Sequence, residues 1–411
     1  MFLDITPLRR HRDYRLVFIG QTVSSFGTFL TYVALPVQIY RLTKSSGIVG
    51  LVSAAQFIPL ACTALWGGAF ADAFDRRRLL LLCEVLLLCG SLALCVNAFL
   101  PTPSVLLIFV VAALMSAVSG FHTPALESLT PRLVDREALP AVSALTGLRG
   151  TTAAIAGPAL AGILIAAFGL PFTFGVDAAT YAISLLCLGA IRSMPPVEGA
   201  PAVGLASIVG GIRYAISRPE LIGTYVVDIV AMTFAMPLAV FPQMAAQFGD
   251  PAAVGVLYSA MSLGAFTVTI FSRWTRGVHR HGAAVILAAA SWGFAIIGLG
   301  FASSLWVAFI CLVLAGGADM ISGLFRQTIW NETIPTHLRG RLAGIEQLSY
   351  MTGPLLGNTR AGFMAERFGL GRSITTGGII CVAAVLACIP LLPAFWRYRN
   401  TPARQSAEHS S

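Results

Sequence analysis

Among the ionisable side chains within long apolar runs of the chain, where an ionised group is energetically unfavourable, five are the main candidates for function. They are Arg149, Asp228, Asp319, Glu346 and Arg360. An ionised side chain at the centre of a lipid bilayer costs about 2.5–3.5 kcal/mol on insertion scales, so such residues are usually paired or functional. The chemistry open to the three acids is the uptake and release of a proton, and Arg149 could attract an anionic ligand. The alternative for Asp228 and Asp319 is a structural ion pair with an arginine such as Arg149.

Other polar residues in the same runs are weaker candidates. Gln21 and Gln56 could line a cavity, and each is equally well explained by a hydrogen bond between helices. His122 is better explained as a packed histidine than as a proton carrier. Asp177 is interpreted as a structural carboxylate.

A charged loop between two apolar runs combines glycine, acid and arginine at short spacing. It reads Gly67-Gly68-Ala-Phe-Ala-Asp72-Ala-Phe-Asp75-Arg76-Arg77-Arg78. Gly68 permits a close helix contact, and Asp72 at a helix end can cap that helix or pair with arginines. The alternative is that the run only anchors the loop in solvent.

The remaining reactive residue types exclude several classes of protein. Lys44 is the one lysine among 27 basic residues and follows no glycine-rich loop, which excludes an ATP site of the P-loop type. The eight cysteines lie in apolar runs without a CxxC pair, so buried thiols are favoured over a zinc site or a disulfide framework. Neither a metal nor an organic cofactor is expected.

The composition indicates which elements must hold these residues. Of 411 residues, 56% are hydrophobic and 11% charged, and the mean hydropathy is +0.80, whereas a soluble protein has about 25% charged residues. Runs of about 20 apolar residues span a bilayer as helices, and twelve are found: 16–40, 47–70, 79–99, 104–126, 138–168, 171–191, 221–243, 252–272, 283–302, 304–325, 341–364 and 373–394. The sequence therefore predicts an all-α membrane protein with twelve transmembrane helices and excludes a soluble enzyme.

The basic residues predict the orientation of these spans. Most of them, Arg326 included, fall in loops on one side, whereas Arg41, Lys44, Arg367 and Arg372 lie on the other. Because positive charge accumulates on the cytoplasmic side, we expect a multi-pass protein of the inner membrane with both termini in the cytoplasm. The net charge of +9 then needs no nucleic-acid partner.

Three landmarks recur in order in the two halves of the chain. Ala34-Leu-Pro36 recurs as Ala235-Met-Pro237, Glu127–Pro131 as Asn331–Pro335, and Gly157-Pro158…Gly162 as Gly353-Pro354…Gly357. The repeat predicts two pseudo-symmetric six-helix bundles, 1–192 and 221–396. The linker 193–220 is expected to be cytoplasmic with a short amphipathic helix, and the tail 397–411 to be disordered. The repeated glycines and prolines permit tight helix packing and bending.

The loop from Gly67 to Arg78 resembles the signature G-x-x-x-D-x-x-G-R-R of the major facilitator superfamily. Gly68, Asp72, Arg76 and Arg77 match it, and Asp75 replaces a glycine. The likeness extends over the whole chain. It implies that the loop holds the outward-facing state closed on the cytoplasmic side. It also implies that spans 1, 2, 4, 5, 7, 8, 10 and 11 line a central cavity, so that all five charged residues above would lie on cavity-lining helices.

Within that family, three stretches are similar to exporters of enterobactin-type siderophores and to macrolide efflux proteins: Val33–Tyr40 with Gly47-Ile-Val-Gly50, Gly67 to Arg78, and Leu148-Arg149-Gly150. The fifth-span motif Gly157-Pro158…Gly162 is one often associated with antiporters. The expected function is proton-driven export of an amphipathic small molecule, with a siderophore favoured and drug efflux as the alternative. A non-transporting receptor-like or assembly protein and an importer of sugars are the less favoured possibilities. A proton gradient would supply the energy. Small-molecule cargo and the bilayer are the expected partners of a monomeric chain, and a periplasmic or outer-membrane partner is left open.

Overall fold

The computed structural model describes residues 4–193, 213–250, 252–334 and 339–399, with the backbone alone for 65–73, 273, 276, 339–341 and 343–348. Within these ranges every regular element is a helix, which confirms the all-α fold. Several predictions lie outside the described residues: the side chains of Gly68, Asp72 and Glu346, most of the linker helix, and the tail beyond Arg399.

Twelve long helices follow one another in the described chain, one for each predicted span. They are α1 (Arg12–Thr43), α2 (Ser46–Ala73), α3 (Arg76–Phe99), α4 (Val105–Leu129), α5 (Leu139–Ala167), α6 (Gly169–Gly189), α7 (Pro219–Ala235), α8 (Ala253–Ile270), α9 (His281–Gly300), α10 (Leu305–Thr333), α11 (Arg339–Phe368) and α12 (Leu370–Leu391). Shorter helical segments are Thr6–Arg10, Thr130–Leu133, Arg136–Ala138, 213–217, Leu238–Val240, Phe241–Phe248, Ser272–Gly277 and Pro393–Trp396.

Eleven of these spans are long and apolar enough to cross a membrane. Among the described residues the exception is α11, whose polar and charged side chains lower its hydropathy. Thr359 donates a hydrogen bond to the carbonyl of Gly50 (3.1 Å), and Asn358 accepts one from the amide of Ala239 (3.2 Å). Its polar side chains are thus satisfied by other helices rather than exposed to lipid.

The outer surface of the bundle is apolar as well as its interior. Leu106, Leu186 and Trp306 are among the large hydrophobic side chains that are mostly exposed. A soluble protein seldom exposes so many of them, whereas a helix surface that faces lipid is expected to be apolar.

The helices alternate in direction, so the two described chain ends lie at one face. We call this the terminal face; Asp4, the α2–α3 turn at Asp75 and Arg399 lie there. The other is the opposite face, where Lys44, Gly249 and Gly369 connect successive helices. Helices α1–α6 pack mainly with one another, as do α7–α12. Between the two halves, α2 packs on α11 and α5 on α8.

Local structure at matching positions supports the internal repeat. Gly169 and Gly369 each precede or begin the last helix of a half, and both adopt a positive φ, +82° and +89°, a conformation that glycine takes without strain. Ser104 and Ser304 cap the N-termini of α4 and α10, each accepting a hydrogen bond from the amide three residues later. Identical turn chemistry at equivalent positions is expected of two halves with the same fold.

The seventh predicted span is not one continuous helix. α7 ends at Ala235, and the chain resumes as Leu238–Val240 and Phe241–Phe248. Pro237 has no amide hydrogen and displaces the carbonyl four residues earlier, that of Thr233. Arg360 donates a hydrogen bond to this carbonyl (3.2 Å). The matching Pro36 leaves α1 unbroken.

Candidate functional site

A cavity of about 940 Å³ opens in the first half toward the terminal face. We call it the terminal cavity. Its polar wall comes from α1, α4, α5 and α6, and α10 contributes Gln327. The polar lining side chains include Gln21, Ser24, Ser25, Thr28, Ser119, His122, Thr123, Glu127, Ser143, Thr146, Arg149 and Tyr181. A ligand in this cavity would meet mainly hydroxyl groups, together with the guanidinium of Arg149, the imidazole of His122 and the carboxyl group of Glu127.

A second cavity of about 400 Å³ lies further along α1 and is lined by both halves. We call it the inner cavity. Gln56, Tyr350 and Asn358 line it, and Tyr32 of α1 meets Tyr258 of α8 edge-on, with ring centroids 5.6 Å apart. Thr28 lines the terminal cavity and Thr31 the inner one, so the two cavities follow each other along one face of α1.

The halves are in close contact beyond the inner cavity, at the opposite face. A Cβ built on Gly162 would lie 2.8 Å from Cα of Gly255, and one on Gly362 would lie 3.1 Å from Cα of Gly50. Polar contacts accompany them: Ser46 donates a hydrogen bond to Gln243 (2.7 Å), and Ser45 to Glu366 (2.7 Å). The pathway between the halves is therefore closed at the opposite face in this conformation.

Asp228 and Asp319 lie together, joined by an arginine. The guanidinium of Arg326 forms an ion pair with Asp228 and lies 3.7 Å from Asp319. Arg326 also lies 5.2 Å from the ring centroid of Tyr350, which lines the inner cavity. Arg326 and Asp228 are 3% and 5% exposed, whereas Asp319 is 40% exposed. The cluster thus holds two carboxylates and one guanidinium.

Two sequence-based expectations about this cluster are wrong. The arginine that pairs with Asp228 is Arg326 of the same half, whereas Arg149 lies in the first half. Arg326 was expected in a loop, but α10 continues to Thr333 and buries it. Its spacing of seven residues from Asp319 places both on one helix face, which is the signal that could have indicated the pair.

Arg149 lines the terminal cavity in the middle of α5. It lies near Tyr14 of α1. The expectation that Arg149 faces a cavity is therefore met by its position. Gln56 contributes to the inner cavity, and its backbone carbonyl accepts a hydrogen bond from Ser116 (2.9 Å).

Arg360 joins α11 to its neighbours through contacts with the backbone. Its guanidinium binds backbone carbonyls of Thr233 in α7 (3.2 Å) and Ser373 in α12 (3.5 Å). Asp177 is fully buried and accepts hydrogen bonds from Thr31 (2.5 Å) and Ser91 (2.6 Å). Both residues join helices within their own half.

The described part of the signature loop shows why Asp75 replaces a glycine. Asp75 has ordinary extended geometry (φ −60°, ψ 114°), and its carboxylate caps α3 by accepting hydrogen bonds from the amides of Arg77 and Arg78. Arg77 donates to the carbonyl of Leu188 (3.1 Å), and the largely buried Arg76 donates to Ser128 (3.0 Å). The loop is thus held against α4 and α6.

The glycine–proline motifs lie at helix contacts. A Cβ on Gly157 would lie 2.6 Å from Cβ of Phe29, and one on Gly353 would lie 2.6 Å from Cβ of Met232. Pro354 lines the inner cavity, while the carbonyl of Pro158 lies close to Gly255. The first motif therefore contacts both α1 and α8.

Reasoning from the sequence missed Glu84. This residue of α3 is fully buried, and Gln21 donates hydrogen bonds both to it (2.7 Å) and to Ser184 (3.1 Å). Gln21 thus lines a cavity and also joins helices. A single acid inside the apolar run Leu79–Leu88 is the signal that could have identified Glu84.

A bundle of two six-helix halves around a cavity that is closed at one face defines a transporter of the major facilitator superfamily. Solved structures support the fold: a POT family transporter matches with a TM-score of 0.73 at 13% identity, covering 94% of this chain and 97% of that one. The nucleoside transporter NupG matches with a TM-score of 0.66 at 15% identity, covering 93% and 98%.

A family profile described as "Transmembrane secretion effector" matches residues 4–407. The chain belongs to this family, and it is a multi-pass membrane transporter, not an enzyme. Relatives include the enterobactin exporter of Shigella boydii serotype 4 and that of Escherichia coli (strain SMS-3-5). Each is 29% identical over 415 residues, covering 99% of this chain and 98% of the relative.

Proposed function

We propose that this transporter exports an amphipathic, aromatic and hydroxyl-rich small molecule of the enterobactin siderophore type from the cytoplasm, in exchange for protons. The observation that carries the proposal is the terminal cavity: hydroxyl groups, Tyr181 and Arg149 line it, while the opposite face is closed. With the termini in the cytoplasm, as the arginine distribution favours, this conformation receives cargo from inside. The enterobactin exporters among the relatives support this class of cargo.

The chemistry of the lining suits such a molecule. Phenolic and amide groups of the cargo can exchange hydrogen bonds with the serine and threonine side chains of α1, α4 and α5. An anionic cargo is also attracted by Arg149. In the inner cavity, the rings of Tyr32, Tyr258 and Tyr350 can pack edge-on or face-on against an aromatic ring of the cargo.

The cluster of Asp228, Asp319 and Arg326 suits proton coupling. One guanidinium balances one carboxylate, and it contacts Asp228 directly while Asp319 lies at 3.7 Å and is the more exposed of the two acids. The second negative charge is unfavourable in an apolar bundle unless a proton neutralises it. Asp319 is therefore the proposed proton carrier, and the proton gradient across the inner membrane is the proposed energy source.

Inside-out membrane vesicles test the proposal. With an imposed proton gradient, vesicles containing the wild-type protein should accumulate enterobactin, and an uncoupler should abolish accumulation. Asp319→Asn should abolish uphill accumulation while retaining binding. Asp135→Asn, at a carboxylate that is 77% exposed, is the matched control and should transport normally.

The outcomes separate the alternatives. Accumulation of a macrolide but not of enterobactin would show that the protein is a drug exporter rather than a siderophore exporter. Accumulation that survives both the uncoupler and Asp319→Asn would refute proton coupling at this cluster. Binding without accumulation in the wild type would favour a receptor-like protein.

A further inference from the structure

A second ionisable cluster lies inside the first half, separate from Asp319. Oε1 of Glu84 in α3 accepts hydrogen bonds from Gln21 of α1 (2.7 Å) and Ser184 of α6 (2.9 Å), and it lies 3.1 Å from Nε2 of His122 in α4. Oε2 of Glu84 is buried and accepts no hydrogen bond from the described residues. Four helices therefore meet at one carboxylate.

The charge of this carboxylate requires a counter-charge. A buried ionised carboxylate that has neutral partners alone carries a penalty of several kcal/mol. The basic side chain that the described structure places next to Glu84 is the imidazole of His122. If one proton is added to the neutral imidazole, the pair consists of an imidazolium and a carboxylate. If the same proton is bound to Glu84 instead, both groups are neutral. In each form the unit holds one added proton and has no net charge.

The two members of the pair differ in their access to water. Glu84 is 0% exposed, whereas the side chain of His122 is 15% exposed and lines the terminal cavity. A proton therefore reaches Glu84 from the cavity through the imidazole. Histidine is suited to this exchange because it changes charge near neutral pH.

The neighbouring titratable groups leave His122 as the partner that neutralises Glu84. From α6, Asp177 and Tyr181 interact electrostatically with Glu84, and Cys83 is adjacent on α3. From α1, the contact is the neutral Gln21. An ionised Asp177 adds negative charge to the region, which further favours a proton on the His122–Glu84 pair.

We propose that His122 and Glu84 form a second proton-binding site, whose occupancy sets the charge on the wall of the terminal cavity. The part of this inference that concerns cargo rests on the proposed function. The terminal cavity is also lined by Arg149 and by the carboxylate of Glu127. With its proton the pair is neutral, whereas without the proton Glu84 adds a further negative charge next to the cavity wall. Binding of an anionic cargo and protonation of the pair then favour each other, because linkage between two binding sites is reciprocal.

Nuclear magnetic resonance of protein with ¹⁵N-labelled histidine, reconstituted in lipid nanodiscs, tests the site without any cargo. The chain has six histidines, and His122→Asn assigns the relevant signal. In the wild type, that signal should report whether the imidazole carries the added proton. Glu84→Gln removes the carboxylate partner of the imidazole, so the pH dependence of this signal should differ from that of the wild type. Glu84→Asp, which keeps the charge, should restore most of the effect.

Asp135→Asn provides the control for the same spectra. Asp135 lies 3.6 Å from His11, so this variant should change the signal of His11 and leave that of His122 unaltered. A His122 signal that does not titrate, or that titrates identically in the wild type and Glu84→Gln, would overturn the proposal.

Binding of the aromatic acid 2,3-dihydroxybenzoate, whose carboxyl group is ionised at neutral pH, tests the link to cargo. Its affinity for the wild type should fall about fivefold or more as the pair loses its proton, and His122→Asn should bind it with a flat pH profile. Equal pH dependence in both proteins would refute the link. Failure of vesicle export alone would refute the proposed function and leave the histidine titration standing.

Discussion

Gly162 of α5 and Gly255 of α8 approach each other so closely that neither can carry a side chain without movement of the halves. A Cβ on Gly162 would lie 2.8 Å from Cα of Gly255, and a Cβ on Gly255 would lie 2.6 Å from the carbonyl oxygen of Pro158. The pair Gly50 and Gly362 forms the related contact between α2 and α11. Because backbone lies on both sides of each contact, no rotamer change can make room.

Gly162→Ala should therefore shift the protein away from the conformation that is closed at the opposite face. Overpacking of a close contact costs about 1–3 kcal/mol, which changes the ratio of the two conformations about fivefold or more. Spin labels can be placed on α2 and α11 at the ends that lie at the opposite face. The distance between these labels should lengthen in the variant. Gly147→Ala, where a Cβ would meet nothing within 4 Å, should leave them unchanged; an equal effect of both variants would contradict the role of the contact.

The sequence predicted the long helices, their number and the repeat because apolar length and turn chemistry are local properties. It did not identify the arginine that meets Asp228, because the predicted span ended before Arg326, whereas α10 continues to Thr333 and buries this residue. The break in α7 could not be predicted from the sequence either, because Pro36 and Pro237 have similar neighbours in the chain. α1 continues through Pro36, whereas in the second half Arg360 binds the carbonyl of Thr233 that Pro237 leaves without its helical partner. Glu84 was recognisable as an isolated acid, but its contact with His122 depends on the fold.

Removal of the positive charge from the Asp228 cluster should be strongly destabilising. Arg326→Gln leaves the buried Asp228 and the partly exposed Asp319 without their cation, and breaking a buried ion pair costs about 3–5 kcal/mol. The midpoint of thermal unfolding in detergent should fall. The double variant Arg326→Gln with Asp228→Asn should recover much of the loss, and Arg149→Gln should have little effect. If the double variant is as unstable as the single one, the pairing does not account for the stability.

The carboxylate of Asp75 should stabilise the start of α3. Asp75→Ala removes the hydrogen-bond acceptor for the amides of Arg77 and Arg78, and loss of such a cap costs about 1 kcal/mol. Thermal unfolding should show this loss, whereas Asp75→Asn, which keeps an acceptor, should remain close to the wild type. Asp75→Gly would restore the residue of the family signature; stability above the wild type in that variant would show that the cap contributes nothing.

The end of the chain should detach from the second half at high pH. Phe395 is fully buried against Gly223 and Gly282, and the hydroxyl of Tyr398 donates a hydrogen bond to Glu332 (3.0 Å). Burial raises the pKa of Tyr398 from 10 to about 12, and the charge of Glu332 contributes. A raised pKa means that the docked form favours the neutral phenol, so this contribution to stability is complete below about pH 10 and is lost as the pH rises toward 12.

Limited proteolysis of the tail beyond Trp396 measures this detachment. Cleavage of the wild type should accelerate between pH 10 and pH 12 relative to cleavage of an unstructured reference peptide, which corrects for the protease. Tyr398→Phe keeps the ring against His281 but cannot ionise, so its cleavage rate should stay constant over that interval. Because the variant also lacks the hydrogen bond to Glu332, its rate at neutral pH should already be modestly higher than that of the wild type. The same acceleration in Tyr398→Phe would assign the detachment to another group.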